Sequence, residues 1–200
     1  MSAPLYGLLL AGGRSTRMGR DKAALAYNGR SQLEAAWALL EPRVARCFVS
    51  VRPDQANDPL RARHPQIVDG REGAGPAAGL RAAQHAHPQA AWLVLACDLP
   101  LLAGATLDHL IAARDPERLA TAFRSAHDGL PEPLCALYEP GAAAPFARYV
   151  AEGRSCPRKF LIGHDAKLID LPDTRALDNI NSADEYWSVS YTHLTLPTKA

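Results

Sequence analysis

The residues of this chain best suited to chemistry are a cluster of cations behind a pair of glycines and one acid at the end of an apolar run. The first group is Leu8-Leu9-Leu10-Ala11-Gly12-Gly13-Arg14-Ser15-Thr16-Arg17-Met18-Gly19-Arg20-Asp21-Lys22. An apolar stretch long enough for a buried strand stops at Gly12-Gly13, and a polar loop carrying Arg14, Arg17 and Lys22 follows. Glycines let main-chain N–H groups approach anionic oxygens closely, and the cations balance the charge of a polyphosphate. The acid is Asp98, which follows the apolar run 91–96 and precedes Leu99-Pro100. A carboxylate in that place suits Mg²⁺, a hard ion held by one or two carboxylates together with phosphate oxygens and water. The bland alternatives are a glycine-rich surface turn for the loop and a turn-forming Asp-Leu-Pro for the acid.

Two common phosphate loops do not fit. Gly13 is followed by five residues, Gly19 and Arg20, which is neither the spacing nor the Gly-Lys-Ser/Thr ending of a P-loop. The dinucleotide pattern G-x-G-x-x-G also fails, because the glycines are adjacent and no third one falls at the required place. What remains, L-A-G-G-x-S-x-R-M-G-x-D-K, resembles the signature of nucleotidyltransferases acting on small molecules, and in particular of the molybdenum cofactor guanylyltransferases.

That resemblance implies GMP transfer from GTP to the terminal phosphate of molybdopterin, with pyrophosphate as the other product. It casts Lys22, Arg17 and Asp98 as catalytic residues, Asp98 also as the Mg²⁺ ligand, and Leu10, Ala11, Gly12, Gly13 and Arg14 as nucleotide contacts. Asp69 matches a further nucleotide position ahead of Gly75-Pro76-Ala77-Ala78-Gly79, which is similar to the family's G-P-x-x-G segment. Ser50 stands where the guanylyltransferases usually have Asn, so cytidylyl transfer, or transfer to another phosphorylated small molecule, stays an alternative. A nucleotide-binding protein without catalysis is the alternative of another class, and the joint presence of Lys22 and Asp98 speaks against it. In the second half, Pro133-Leu134-Cys135-Ala136-Leu137-Tyr138 resembles the strand beside the acceptor, and Asn179-Ile180-Asn181 the segment associated with the pterin. The same asparagines would serve an Asx turn at the start of a last helix. Expected partners are GTP, molybdopterin and, transiently, the proteins that supply molybdopterin or receive the product.

These residues need elements to hold them. Short apolar runs alternate with helical patterns, which predicts an α/β domain: a single three-layer Rossmann-like fold on a mainly parallel mixed sheet. Strands are expected at residues 5–11, 47–51, 66–68, 91–96, 120–124, 134–138 and 167–169. Helices are expected after the capping-box spacing of Ser31 and Glu34, around 59–63, from 77 to 87, and at 107–113, 142–151 and 157–162. Ligands of open α/β sheets bind outside the carboxyl ends of the strands, which would bring Asp98 beside the first loop.

Composition narrows the class. The 200 residues, 48% of them hydrophobic, suffice for one domain with a sizeable core. A formal net charge of +1 lacks the electrostatic footprint of a nucleic-acid binder. No apolar run approaches the roughly 18 residues of a membrane span, and Met1-Ser2-Ala3-Pro4 does not open a signal peptide, so a cytoplasmic enzyme is expected. Cys47, Cys97, Cys135 and Cys156 form no C-x-x-C pair and are expected to be buried thiols. His85 and His87 are expected at a solvated helix end. The domain is expected to span residues 1–187, whereas 188–200 resemble translated adapter sequence and are set apart.

Overall fold

Leu8 and Leu9 point to opposite faces of the first strand and neither is exposed, the signature of a strand covered on both sides. The computed structural model describes residues 2–11, 21–27, 29–70 and 75–178, except for the side chains of Lys22, Ala26 and Tyr27. Its elements are β1 (Leu5–Leu10), β2 (Ala26–Tyr27), β3 (Arg30–Ser31), α1 (Gln32–Leu40), β4 (Arg46–Val51), β5 (Gln66–Val68), α2 (Gly75–Ala86), β6 (Ala91–Ala96), α3 (Gly104–Ala112), β7 (Ala120–Arg124), β8 (Pro131–Tyr138), α4 (Ala143–Ala151), α5 (Pro157–Ile162) and β9 (Ala166–Ile169).

Seven strands form one sheet in the order β5-β4-β1-β6-β8-β7-β9. The first four run parallel, β8 lies antiparallel between β6 and β7, and β9 is parallel to β7. The predicted single α/β domain with a mainly parallel mixed sheet is therefore the fold observed. Leu8, Phe48, Leu80, Trp92, Val94, Tyr138, Phe146 and Phe160 build the core on one face, under α2, α4 and α5. Leu9, Leu33, Leu40, Val49, Leu93, Leu95, Leu107 and Leu110 build the other, under α1 and α3. Gly7 sets the approach of α1: a Cβ there would lie 2.9 Å from Leu40 Cγ and 3.2 Å from Cys47 Sγ.

The capping box at α1 is complete. Ser31 Oγ accepts the Glu34 N–H at 3.2 Å while the Ser31 N–H donates to Glu34 Oε2 at 3.4 Å. Other boundaries differ from the sequence reading. The β2–β3 hairpin is unforeseen, because two-residue strands carry no periodicity. The helix expected over 59–63 is a 3-10 turn, Arg61–Arg63. Helices α2 and α3 begin two and three residues earlier than expected, each at a glycine.

Two expectations are corrected. Cys156 is exposed, since it sits at the start of α5 rather than in a strand; Cys47, Cys97 and Cys135 are buried. Of the histidine pair, His85 is exposed but His87 is half-buried, packing on Phe48 and edge-on to Tyr6 with ring centroids 5.2 and 5.3 Å apart. Among the described residues no helix is long and apolar enough to cross a membrane.

Candidate active site

Strand register decides which residues meet. Leu10 pairs with Ser50 on one side and Ala96 on the other, and Val51 pairs with Val68. The carboxyl ends of β1, β4, β5 and β6 therefore lie along one edge, and Ala11 and Asp69, the residues next after β1 and β5, and Asp98, two past the end of β6, project from it. Strand order reverses between β1 and β6: the chain moves from β1 outward to β4 and β5, then returns to the far side of β1. A crevice at such a switch point is where open α/β sheets receive ligands.

At the exit of β1, Ala11 N–H donates to the Ser50 carbonyl at 3.4 Å and Cys97 N–H to the Leu10 carbonyl at 3.3 Å. Ser50 is buried under α2. A Cβ on Gly79 would come within 2.3 Å of Ser50 Oγ and 3.1 Å of Leu10 Cδ2, so glycine at that position lets the helix settle on the ends of two strands. Across the edge, Asp69 is 6% exposed and its N–H donates to the Val51 carbonyl at 2.9 Å. Its Oδ1 is buried with no hydrogen-bond partner among the described residues. Burial raises the pKa of this carboxyl; Arg52 opposes the rise and Asp54 adds to it. A buried acid kept short of partners is a prepared acceptor for ligand donors.

Asp98 is half-buried at the end of β6. The preceding thiol, Cys97, is pushed up to about 12, first by burial and then by Asp98. Arg61 opposes that shift and Asp21 reinforces it, which brings all three charges within electrostatic reach of one sulfur. A thiol so disposed is packing rather than a nucleophile. Among the described residues no three His, Cys, Asp or Glu side chains could hold a metal together.

Arg61 escaped the sequence reading altogether. It is 1% exposed, and it reaches fifty residues back along the chain. Nε and Nη2 donate to the Ala11 carbonyl at 3.0 and 2.7 Å, and Nη2 also donates to Asp21 Oδ1 at 2.9 Å. Nη1 lies 2.7 Å from Asp21 Oδ2 and 3.1 Å from Asp58 Oδ1. Burial works against its charge, but Asp21 and Asp58 outweigh that and hold the guanidinium above the usual arginine range. In sequence it is one of 22 basic residues in a polar stretch, and no local pattern marks it.

Asp21 also accepts the Ala23 N–H at 3.1 Å and so caps the 3-10 turn Lys22–Ala24, which places the Lys22 backbone at this edge. On the far side of Asp98, a cleft of about 140 Å³ is walled by Ala96, Leu99, Pro133, Leu134, Arg158 and Leu177, among others. Pro133 and Leu134 belong to the strand that the sequence associates with the acceptor. Of the predicted site residues, the fold thus gathers Leu10, Ala11, Ser50, Asp69 and Asp98. Gly12, Gly13, Arg14, Arg17, Asn179 and Asn181, with the side chain of Lys22, lie outside the described residues.

Known proteins share this arrangement. The model of the MobA-like NTP transferase domain matches residues 7–167. A probable molybdenum cofactor guanylyltransferase of Mycobacterium avium is 36% identical over 191 residues, covering 90% of this chain and 92% of that protein. A molybdenum cofactor biosynthesis bifunctional protein of Synechocystis is 36% identical over 187 residues, or 94% of this chain; the chain spans only 54% of that relative's length. The crystal structure of molybdopterin-guanine dinucleotide biosynthesis protein A from Archaeoglobus fulgidus superposes with a TM-score of 0.75 at 23% identity, covering 94% of this chain and 98% of the other. With a family match over most of its length and relatives above 30% identity along nearly all of it, the chain belongs to the MobA-like NTP transferases, a family of nucleotidyltransferases.

Proposed function

We propose that this chain transfers GMP from GTP to the terminal phosphate of molybdopterin, giving molybdopterin guanine dinucleotide and pyrophosphate. The observation that carries the reading is the convergence of Ala11, Asp69 and Asp98 on one edge at the switch point of the sheet, in a chain of this family.

A phosphate monoester has a second pKa of about 6, so at neutral pH the acceptor is largely dianionic and needs no general base. One of its oxygens attacks the α-phosphorus of GTP in line; the new P–O bond forms as the bond to the bridging oxygen breaks and pyrophosphate departs. The chain's task is then positioning and charge. Leu10, Ala11, Gly12 and Gly13 offer main chain to the nucleotide, and Arg14, Arg17 and Lys22 meet the phosphates. Asp69 accepts from the nucleoside through its orphaned oxygen. Asn179 and Asn181 are assigned to the pterin.

A carboxylate beside a triphosphate fits a divalent ion that takes most of its ligands from phosphate and water, and Asp98 would hold Mg²⁺ on those terms. When bound, the ion would stabilise charge developing on the phosphates. The small cleft beyond Asp98 offers the acceptor a place on the side opposite Asp69. A cytoplasmic setting suits the three buried thiols.

Ser50, buried under Gly79, favours keeping CTP as the second reading. Pyrophosphate release is measured with GTP and with CTP, each with and without molybdopterin. Release that needs molybdopterin, with a higher specificity constant for GTP, is the expected result. Equal or CTP-favouring constants would overturn the guanylyl assignment, and release that needs another phosphorylated acceptor would overturn the acceptor.

A further inference from the structure

We infer that Arg61 is a positioning residue for nucleotidyl transfer: it clasps the residues on either side of segment 12–20, the Ala11 carbonyl and the Asp21 carboxylate, and thereby sets where the Lys22 backbone stands. The inference rests on the reading that this loop and Lys22 receive the nucleotide.

A guanidinium has five N–H donors in a rigid fork. Among the described residues Arg61 makes five contacts, two to Ala11, two to Asp21 and one to Asp58, which engage all five donors. No donor is left over for a phosphate, so Arg61 acts through what it holds and not by touching the substrate. Its own position is fixed from behind, because Asp58 Oδ1 accepts the Leu60 and Arg61 backbone N–H groups at 3.2 and 3.1 Å as well as Arg61 Nη1. Both partners are fixed too. Ala11 is bonded to β4 through the Ser50 carbonyl, and Asp21 caps the turn that Lys22 opens.

The clasp thus ties the terminus of the central strand to the residue immediately before the predicted catalytic lysine, across a stretch of nine residues. Charge bears on the same point. Asp21 and Asp58, together with Asp98, put several negative charges near a site meant for a triphosphate. Arg61 answers two of them directly. Without it, the charge of Asp21 would stand unanswered beside Lys22 and repel the ligand that Lys22 should attract.

The test uses the full chain as wild type, Asp21→Ala, Arg61→Lys and the double variant, with thermal melts run beside initial-rate kinetics for GTP and molybdopterin. Lysine keeps a cation in place, but its three donors cannot reproduce the paired contacts to both Ala11 and Asp21. Each single variant should lose at least about ten-fold in kcat while KM for molybdopterin stays within about two-fold. The double variant should be no slower than the poorer single one, since either change opens the same clasp. A purely structural role would lower the melting temperature but leave kcat per folded molecule unchanged. Asp21 is 38% exposed, so its variant keeps the test alive if Arg61→Lys does not fold.

Wild-type kcat in Asp21→Ala, or losses that multiply in the double variant, would overturn the inference. If wild type releases no pyrophosphate with molybdopterin, the proposed acceptor fails, and the same cycle is read on Mg²⁺-GTP affinity by calorimetry. Equal affinities there would overturn the clasp alone, and a wild type that binds no nucleotide would overturn both.

Discussion

Asp69→Asn should make the protein more stable and a worse enzyme. The carboxylate is 6% exposed and one of its oxygens has no hydrogen-bond partner among the described residues, so folding buries charge with incomplete compensation. An unsatisfied buried polar group costs about 1–3 kcal/mol. Asn keeps the shape and a polar oxygen but removes the charge, and so recovers only part of that, about 1 kcal/mol. For a domain of this size that raises Tm by about 2–4 °C. Arg52 attracts the carboxylate and reduces the gain, but its guanidinium also grips Asp54, with Nη2 and Oδ2 2.9 Å apart.

The pH dependence has a defined sign. Asp69 holds its proton more tightly in the folded chain than at its ordinary value of 3.8, so it lowers stability wherever the unfolded carboxyl is ionised. That penalty is complete above the raised folded value and vanishes as pH falls through 3.8. The advantage of Asp69→Asn should therefore be largest near pH 7 and shrink on acidification. Differential melts in a series from pH 7 down to below 3.8 measure it. Binding should move the other way, because a hydrogen bond to a charged group contributes about 1.5–3 kcal/mol, at least ten-fold in GTP affinity by titration calorimetry. A variant less stable than wild type at pH 7 would show that the carboxylate is structurally satisfied and would refute the reasoning.

Asp98→Asn should stay folded by circular dichroism and need more Mg²⁺ for half-maximal rate, with part of the rate restored by added metal; wild-type turnover at low Mg²⁺ would remove Asp98 as the ligand. Gly79→Ala gains about 1 kcal/mol of helix propensity but forces a Cβ within 2.3 Å of Ser50 Oγ, an overpacking that costs about 1–3 kcal/mol, so urea unfolding should show an equal or lower midpoint. Iodoacetamide at pH 7.5 should label exposed Cys156, whereas Cys47, Cys97 and Cys135, pushed up to about 12 by burial, should stay unlabelled by peptide mass until the chain unfolds. Removing residues 188–200 should leave Tm and turnover unchanged.

The fully apolar strands β1 and β6, the capping box at Ser31 and the acid after β6 were legible because each is written in consecutive residues. Asp69 could be placed by its position between an apolar run and glycines. Its orphaned oxygen could not, since burial of that atom depends on elements brought together from different parts of the sheet. Arg61 shows the limit of local pattern. Its partner at Ala11 is fifty residues away and is a backbone carbonyl, a group every residue has, so no side-chain type marks the contact. The antiparallel setting of β8 was likewise hidden, for periodicity gives the faces of a strand and not its direction.

That reversed direction has a consequence for how the two substrates are accommodated. Because β8 runs against β6, with Cys135 opposite Leu95, the beginning of β8 arrives at the edge where β6 ends. On the proposed reading, the donor half of the site is then written between residues 5 and 98 and the acceptor half begins at β8. The two can diverge separately: insertions between β7 and β8, or changes at Pro133 and Leu134, remodel the acceptor wall without shifting the register that aligns Leu10, Ser50 and Ala96. A sheet that turns one strand around has, in effect, a hinge in its sequence at which one nucleotide-handling half can be joined to many different acceptors.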